Sequence, residues 1–412
     1  MKQDFKQAKL SNGITVIGEY LPNASSASFA VLVPVGAISD PVSEQGINNI
    51  LAEMFYKGAA GKSSRQISDL FEDIGASRGH SPGIEISVFS SSVLTQHLPR
   101  VLELYAQVLL SPELAAEELD SAKELALQEL KHIEDNPSQK VMIELAKQYY
   151  PDPFGRSSLG NEAGIRAISA KSLKDFYQAK FVASNVAIVL AGKFDFDQIL
   201  QKLESSYGYW QGSGDLLSIG AFKATDKKYH IEQNSSQLQI ALAYPSVGVE
   251  HPQYYAARIA CGLLSGGMAG RLFIEVREKR GLVYSVSASH SAAKGRAAVL
   301  VYAGTTPERG QETLDVMITE LKNLAKNITA EELKRAKADI KARLLINAEN
   351  TSLRASALIN DWWNLGRLRE LDEIKANIDA VQISDIEAHL AQYPVQAVTM
   401  VTLGNRQLEL VV

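Results

Sequence analysis

Apolar and polar positions along this chain switch between two periods, and the switches mark its elements. "LSNGITVIGEY" (10–20) sets an Asn-Gly pair between apolar runs and predicts a hairpin. "SSASFAVLVPVGA" (25–37) reads as a buried strand, and a helix is predicted from about Glu44. Helical period returns at 63–75 and in "HLPRVLELYAQVLLS" (97–111), with strand character between them at 83–94. "AAEELDSAKELALQELKHIEDN" (115–136) is rich in good helix formers and extends toward "SQKVMIELAKQYY" (138–150). "SLKDFYQAKF" predicts another helix, and "NVAIVLAG" (185–192) a strand ending in glycine.

Between about 208 and 228 the pattern lapses, and Gly, Ser and scattered charge predict a linker. The order then repeats. "QLQIALAYPS" is a strand, "HPQYYAARIACGLLSGG" and "RLFIEVREKRG" are helices, and "LVYSVSASHS" and "RAAVLVYAGTT" are strands. Two helical stretches follow, the second ("TAEELKRAKADIKARLLINAEN") similar in character to 115–136. "VQAVTMVTLG" (395–404) echoes "NVAIVLAG". The expectation is a duplicated α+β fold: two homologous halves, each an antiparallel sheet covered by helices. The halves are placed at 1–212 and 226–412, with 213–225 between them.

Composition narrows the functional classes. With 412 residues, 46% hydrophobic and 22% charged, the chain suits a soluble protein of at least two domains. A net charge of −5 argues against general binding to nucleic acid or anionic membranes. The single cysteine, Cys261, excludes an intrachain disulfide. No apolar run is long enough to span a bilayer, and no apolar signal region follows the first lysines. A cytoplasmic protein is expected, or a periplasmic or organellar one if a leader has been removed. No G-x-x-x-x-G-K-[ST] motif occurs, and the glycines of "GLLSGGMAG" follow a helix rather than a strand, against dinucleotide binding.

"GINNILAEMFYKG" (46–58) carries the chemical question. An H-x-x-E-H helix places two zinc-binding imidazoles on one face, with a glutamate between them to activate water. "LSNGITVI", the strand at 28–36, "GINNILAEMFYKG" and "RLFIEVREKRGLVYSV" together resemble the pitrilysin/insulinase family of zinc metallopeptidases. Within it the chain most resembles the branch of the mitochondrial processing peptidase and its bacterial relatives. The resemblance runs over essentially the whole chain. Gly46, Met54, Lys57 and Gly58 fit the family frame G-x-x-H-x-x-E-H-M-x-F-K-G. Asn49 stands at the first histidine, Ala52 at the glutamate and Glu53 at the second histidine. Glu129 stands where the resemblance places the third ligand. An amide oxygen is a weak ligand for zinc, a methyl group moves no proton, and one carboxylate makes no zinc site. No metal is therefore expected in this chain. Asn49, Glu53 and Glu129 leave two readings: an oxygen-only site for a hard cation, or solvated carboxylates lining a cavity, the latter preferred. His80, His97, His132, His230, His251, His290 and His389 show no H-x-x-x-H spacing.

"GRLFIEVREKRGLVYSV" (270–286) matches the family's second motif far better. The resemblance makes Arg277 and Tyr284 the arginine and tyrosine that bind the substrate backbone. Seen alone, Arg277 is one base in a charged run and Tyr284 a strand aromatic. The resemblance implies weakly that "GGMAG" (266–270) handles substrate. The tryptophans of "NDWWNLG" (360–366) suit helix packing. An intact second motif beside a ruined first suggests a non-catalytic, substrate-positioning subunit, inactive alone. It would belong to a heterodimeric metallopeptidase acting on unfolded peptides. The partner would be a chain of similar size carrying H-x-x-E-H and the zinc. The alternative is an inactive homologue used for binding or scaffolding. A self-sufficient hydrolase with another metal at Glu53 and Glu129 is disfavoured by the missing base at position 52.

Overall fold

The computed structural model describes residues 3–216 and 222–411, so part of the predicted linker, 217–221, lies outside the described residues. The chain divides into two compact units that interleave in sequence. Unit 1 is Met1–His132, Arg156–Leu217 and Asn347–Trp362; unit 2 is Ile133–Gly155, Ser218–Ile346 and Trp363–Val412.

In unit 1 the hairpin forms as the Asn-Gly turn predicts, from β1 (Asp4–Lys9) and β2 (Thr15–Tyr20). β3 (Ser26–Val33) follows, then a small ribbon of β4 (Gly58–Ala59) and β5 (Lys62–Ser63). β6 (Gly79–Pro82), β7 (Ser87–Leu94) and β8 (Ala187–Gly192) complete a six-stranded sheet of order β1-β2-β8-β3-β7-β6. The expected antiparallel sheet needs one correction: β2 and β8 run parallel. They are joined by a connection long enough for the crossover that parallel strands require. β3 is buried along almost its whole length because both of its faces are covered. Phe29, Val31 and Val33 enter the main core, where Phe29 meets Tyr105 edge-on at 4.9 Å. Ser28, on the other face, bonds Thr351 at 2.8 Å. Thr351 opens the helix Thr351–Leu365, which also brings Arg354 to Glu19 of β2, Nε to Oε2 2.7 Å, with both side chains buried.

Unit 2 repeats the plan with β9 (Lys227–Glu232), β10 (Leu238–Pro245), β11 (Val283–Ala293), β12 (Arg296–Thr305) and β13 (Thr399–Gly404), in the order β11-β12-β10-β13-β9. Position for position this is β6-β7-β3-β8-β2 of unit 1, down to the parallel pair, here β13 with β9. Predicted helix 115–136 does not continue into 138–150. It ends at Glu134, and a new helix, Pro137–Tyr149, starts with Asn136 as its cap and Pro137 in its first turn. That second helix seats Val141, Leu145 and Tyr149 on Ala241, Ala243, Ala298, Val401 and Leu403 of the unit 2 sheet. The opposite face carries the larger core, including the buried thiol of Cys261, whose pKa burial pushes up to about 12. Among the described residues no helix is long and apolar enough to cross a membrane.

Candidate functional site

The degenerate motif folds as the helix Ile47–Met54, starting later than its apolar pattern suggests. Gly46 sets the start. Its φ of 106° belongs to the left-handed region, and an added Cβ would lie 3.0 Å from the Ile165 side chain. Asp40 caps the turn: the Gly46 N–H donates to its Oδ2 at 2.7 Å and the Asn48 N–H to its Oδ1 at 3.3 Å. Burial outweighs these bonds and the nearby Arg156, and pushes the Asp40 carboxyl up to about 7.

The three altered positions have separate fates. Ala52 is wholly buried in the unit 1 core. Asn49 is half-buried. Glu53 is also half-buried, and its nearest cation is Lys57, one turn on, at 3.6 Å. Glu129 stands exposed on the helix Ala116–Glu134. One amide, one methyl group and two carboxylates are the wrong donors for zinc. Among the described residues no three His, Cys, Asp or Glu side chains converge closely enough to hold a metal ion.

A residue that histidine spacing set aside does join this region. His80 lies on β6, an edge of the sheet, with its ring 5.5 Å from that of Tyr56. Packing against its neighbours lowers the imidazole pKa, while Glu53 and Glu129 both pull it back up. The two surviving carboxylates therefore share an environment with His80. No sequence signal announces it, because the ring comes from a strand and not from the helix.

Arg277 and Tyr284 lie in unit 2, each at a break in regular backbone. Phe273–Glu278 is a π-helix, in which the Lys279 N–H reaches back five residues to the Ile274 carbonyl at 2.9 Å. Such widened turns occur frequently at functional sites. The charged run separates into paired and unpaired members. Lys279 and Arg280 both bind Glu275, at 2.6 and 2.8 Å, and Arg271 binds Glu332 at 2.8 Å. Among the described residues no carboxylate pairs with Arg277. Its exposed guanidinium lies over the Phe273 ring, 5.1 Å from the centroid.

The chain then turns through Gly281, whose φ of 61° favours glycine. Its N–H donates to the Arg277 carbonyl at 3.0 Å, and its own carbonyl accepts from Arg309 at 2.6 Å. The Leu282 N–H donates to the Val276 carbonyl at 3.0 Å, and the Leu282 carbonyl accepts from Thr305 at 2.6 Å. One residue later the register slips: Val283 faces Thr305, but Ser285 faces Gly304. Tyr284 is the extra residue of this bulge, and its side chain is 87% exposed. Bulges re-aim side chains in this way. A guanidinium and a phenol, both presented to solvent on a locked turn, can donate to a peptide carbonyl or a developing oxyanion.

Known proteins match both parts of the chain. Residues 15–162 match the family described as insulinase (peptidase family M16), and residues 167–340 match the peptidase M16 inactive domain. An uncharacterized zinc protease of Rickettsia felis is 25% identical over 390 residues, covering 94% of each chain. One from Bacillus subtilis is 26% identical over 383 residues, covering 92% of this chain and 93% of that one. Two solved structures share the fold. A peptidase M16 inactive domain from Pseudomonas fluorescens has TM-score 0.88 and 23% identity over 99% of both chains. A protease from Helicobacter pylori has TM-score 0.89 and 19% identity over 98% of this chain and 100% of that one. With both halves of the family matched and the fold shared throughout, the chain belongs to the M16, or pitrilysin/insulinase, peptidase family.

Proposed function

We propose that this chain is the non-catalytic, substrate-positioning subunit of a two-chain zinc metallopeptidase acting on unfolded peptides. The observation that carries the reading is the contrast between the two motifs. Where the family's general base would stand, Ala52 is sealed in the core. Arg277 and Tyr284 are intact, exposed and without ion-pair partners among the described residues. Arg277 and Tyr284 donate hydrogen bonds to backbone carbonyls of an extended peptide and fix its register. A partner of similar size, carrying H-x-x-E-H, supplies the zinc-activated water. The chain is inactive alone and gains a role only when paired.

The test is reconstitution with such a partner. Arg277→Ala and Tyr284→Phe each lower peptide cleavage, without affecting assembly. Full activity in both variants contradicts the reading.

One observation favours a second reading. The chain also shares its fold with a chain of Complex III2 from Candida albicans, TM-score 0.83, 18% identity over 97% of this chain and 96% of that one. A subunit used to bind or scaffold would form a stable assembly whose partner lacks H-x-x-E-H.

A further inference from the structure

The helix Ala330–Ala348 of unit 2 turns a basic and apolar stripe to solvent. Ala330, Lys334, Ala338, Lys341 and Leu345 follow one another at spacings of three and four, so they share one face over about 23 Å. Ala336 and Ile340 hold the opposite side on the unit 2 core. Between the stripe and Asp379, near the end of the helix Leu371–Ala380, lies a groove of about 390 Å³ whose wall includes Ala330, Leu333 and Ala338. Leu345, at the far end, is 45% exposed. The charge is local. From Lys322 to Arg343 the chain has seven basic residues and three acidic ones, in a molecule of net charge −5. The three carboxylates are taken up by arginines: Glu331 by Arg335, Glu332 by Arg271 and Asp339 by Arg343. Lys341 pairs with the Asp379 carboxylate at 2.6 Å, and Lys337 donates to the Asp379 carbonyl at 2.8 Å. Lys334 is exposed, and among the described residues no carboxylate pairs with it.

We propose that this face docks an acidic, amphipathic helix of a partner protein. The alanines let a second helix approach closely, Leu345 offers it an apolar contact, and the lysines receive its carboxylates. Exposed ion pairs contribute at most about 1 kcal/mol each, so the lysines select the partner and the alanine–leucine surface holds it. Two other occupants fit worse. An anionic membrane repels a chain of net charge −5, and one exposed leucine buries too little to anchor it there. A second copy could offer the acidic face of its helix Ala116–Glu134, with Glu117 and Glu124 exposed. That contact is head to tail and leaves the same two faces open at its ends, so it grows unless it closes. The proposal concerns a different helix from the one that carries Arg277, and it stands whether or not the peptide-positioning role holds.

Fluorescence anisotropy on the full chain tests this, using as probe a labelled, capped helical peptide with glutamates and leucines on one face. Lys334→Glu should weaken binding by about tenfold, as should glutamine in place of the peptide's glutamates. Leu345→Gln should weaken it by about fivefold. Both protein variants should keep the wild-type melting temperature, because each changes an exposed side chain and neither breaks an ion pair. Acylation of lysines, read by mass spectrometry, locates the contact. Bound peptide should slow labelling of Lys334 and leave Lys193, an exposed lysine of unit 1, unchanged. No binding at about 1 mM peptide overturns the proposal, as does binding that ignores both Lys334→Glu and Leu345→Gln or leaves Lys334 unprotected. Lys334-dependent binding to phosphatidylserine vesicles without binding to the peptide overturns it in favour of a membrane. Lys334-dependent self-association of the chain overturns it in favour of a second copy.

Discussion

Tyr284 stands at the bulge of β11, seven residues beyond Arg277 in its π-helix, and the intervening turn is tied back to that helix by backbone hydrogen bonds. Both side chains that the second motif singles out are exposed on irregular backbone. Tyr284→Phe should leave stability within about 0.5 kcal/mol of wild type, because an exposed side chain gives up little on losing a hydroxyl. In a reconstituted pair it should lower kcat by about 10²-fold, the scale of removing one preorganised donor. Denaturation and turnover of the same variant check the two halves of this prediction.

Gly281 supports that presentation from behind. At φ 61° an alanine is strained although the space around it is open, so Gly281→Ala should cost about 1 kcal/mol. It should also reduce turnover of the pair less than Tyr284→Phe does. A melting curve and a turnover assay decide whether the turn positions the tyrosine or merely precedes it.

The Glu19–Arg354 pair anchors a helix from residues 351–365 to a strand laid down more than 300 residues earlier, and both partners are buried. Among the described residues Arg354 Nη2 has no hydrogen-bond partner. Arg354→Met leaves the buried Glu19 charge without its cation, with the Gln3 amide donating to its Oε1, and should destabilise unit 1 by about 3 kcal/mol. Glu19→Gln combined with Arg354→Met should cost clearly less than the two single changes summed. A double-mutant cycle by urea denaturation measures the coupling.

Two buried groups give the units opposite responses to pH. Asp40 in unit 1 is raised from 3.8 to about 7, so the folded state holds this proton more tightly than the unfolded one. Its contribution is complete below about pH 4 and is lost as pH rises to about 7, for a change of about 4 kcal/mol. His389 in unit 2 is lowered from 6.5 to about 4, by burial first and then by His290 and His251. The unfolded state takes up this proton first. Its contribution is therefore complete above about pH 6.5 and is lost as pH falls to about 4, a change of about 3 kcal/mol. Asp40→Asn should flatten the first slope and His389→Gln the second, as read from exchange protection of each unit between pH 4 and 8.

Much of this was legible in the sequence. The Asn-Gly hairpin, β3, β10, the long helices and the duplication follow from turn chemistry and periodicity, and the sheets repeat one strand order as the echo of 185–192 in 395–404 suggests. The edge strands β6 and β9 were not legible. β6 reads "GHSP", with no apolar alternation, and β9 "KKYHIE", with only Tyr229 and Ile231 to carry one. Nor does an amphipathic pattern say which sheet a helix covers. Pro137–Tyr149 packs on unit 2 because Ala241, Ala243 and Ala298 leave room for it, a fact about volumes at distant positions. In the site, the motif frame points to Arg277 and Tyr284 as candidates, but not to the π-turn or the bulge where they stand. His80 was invisible because its relation to Glu53 and Glu129 is tertiary.

The central claim is that this chain works as half of an enzyme. Its most direct test is isolation of the native protein under mild conditions, with mass spectrometry of whatever co-purifies in equal amount. The account predicts a partner of similar mass carrying H-x-x-E-H, and peptide cleavage by the pair that depends on Arg277 and Tyr284. A lone chain or a homodimer without peptidase activity would contradict it.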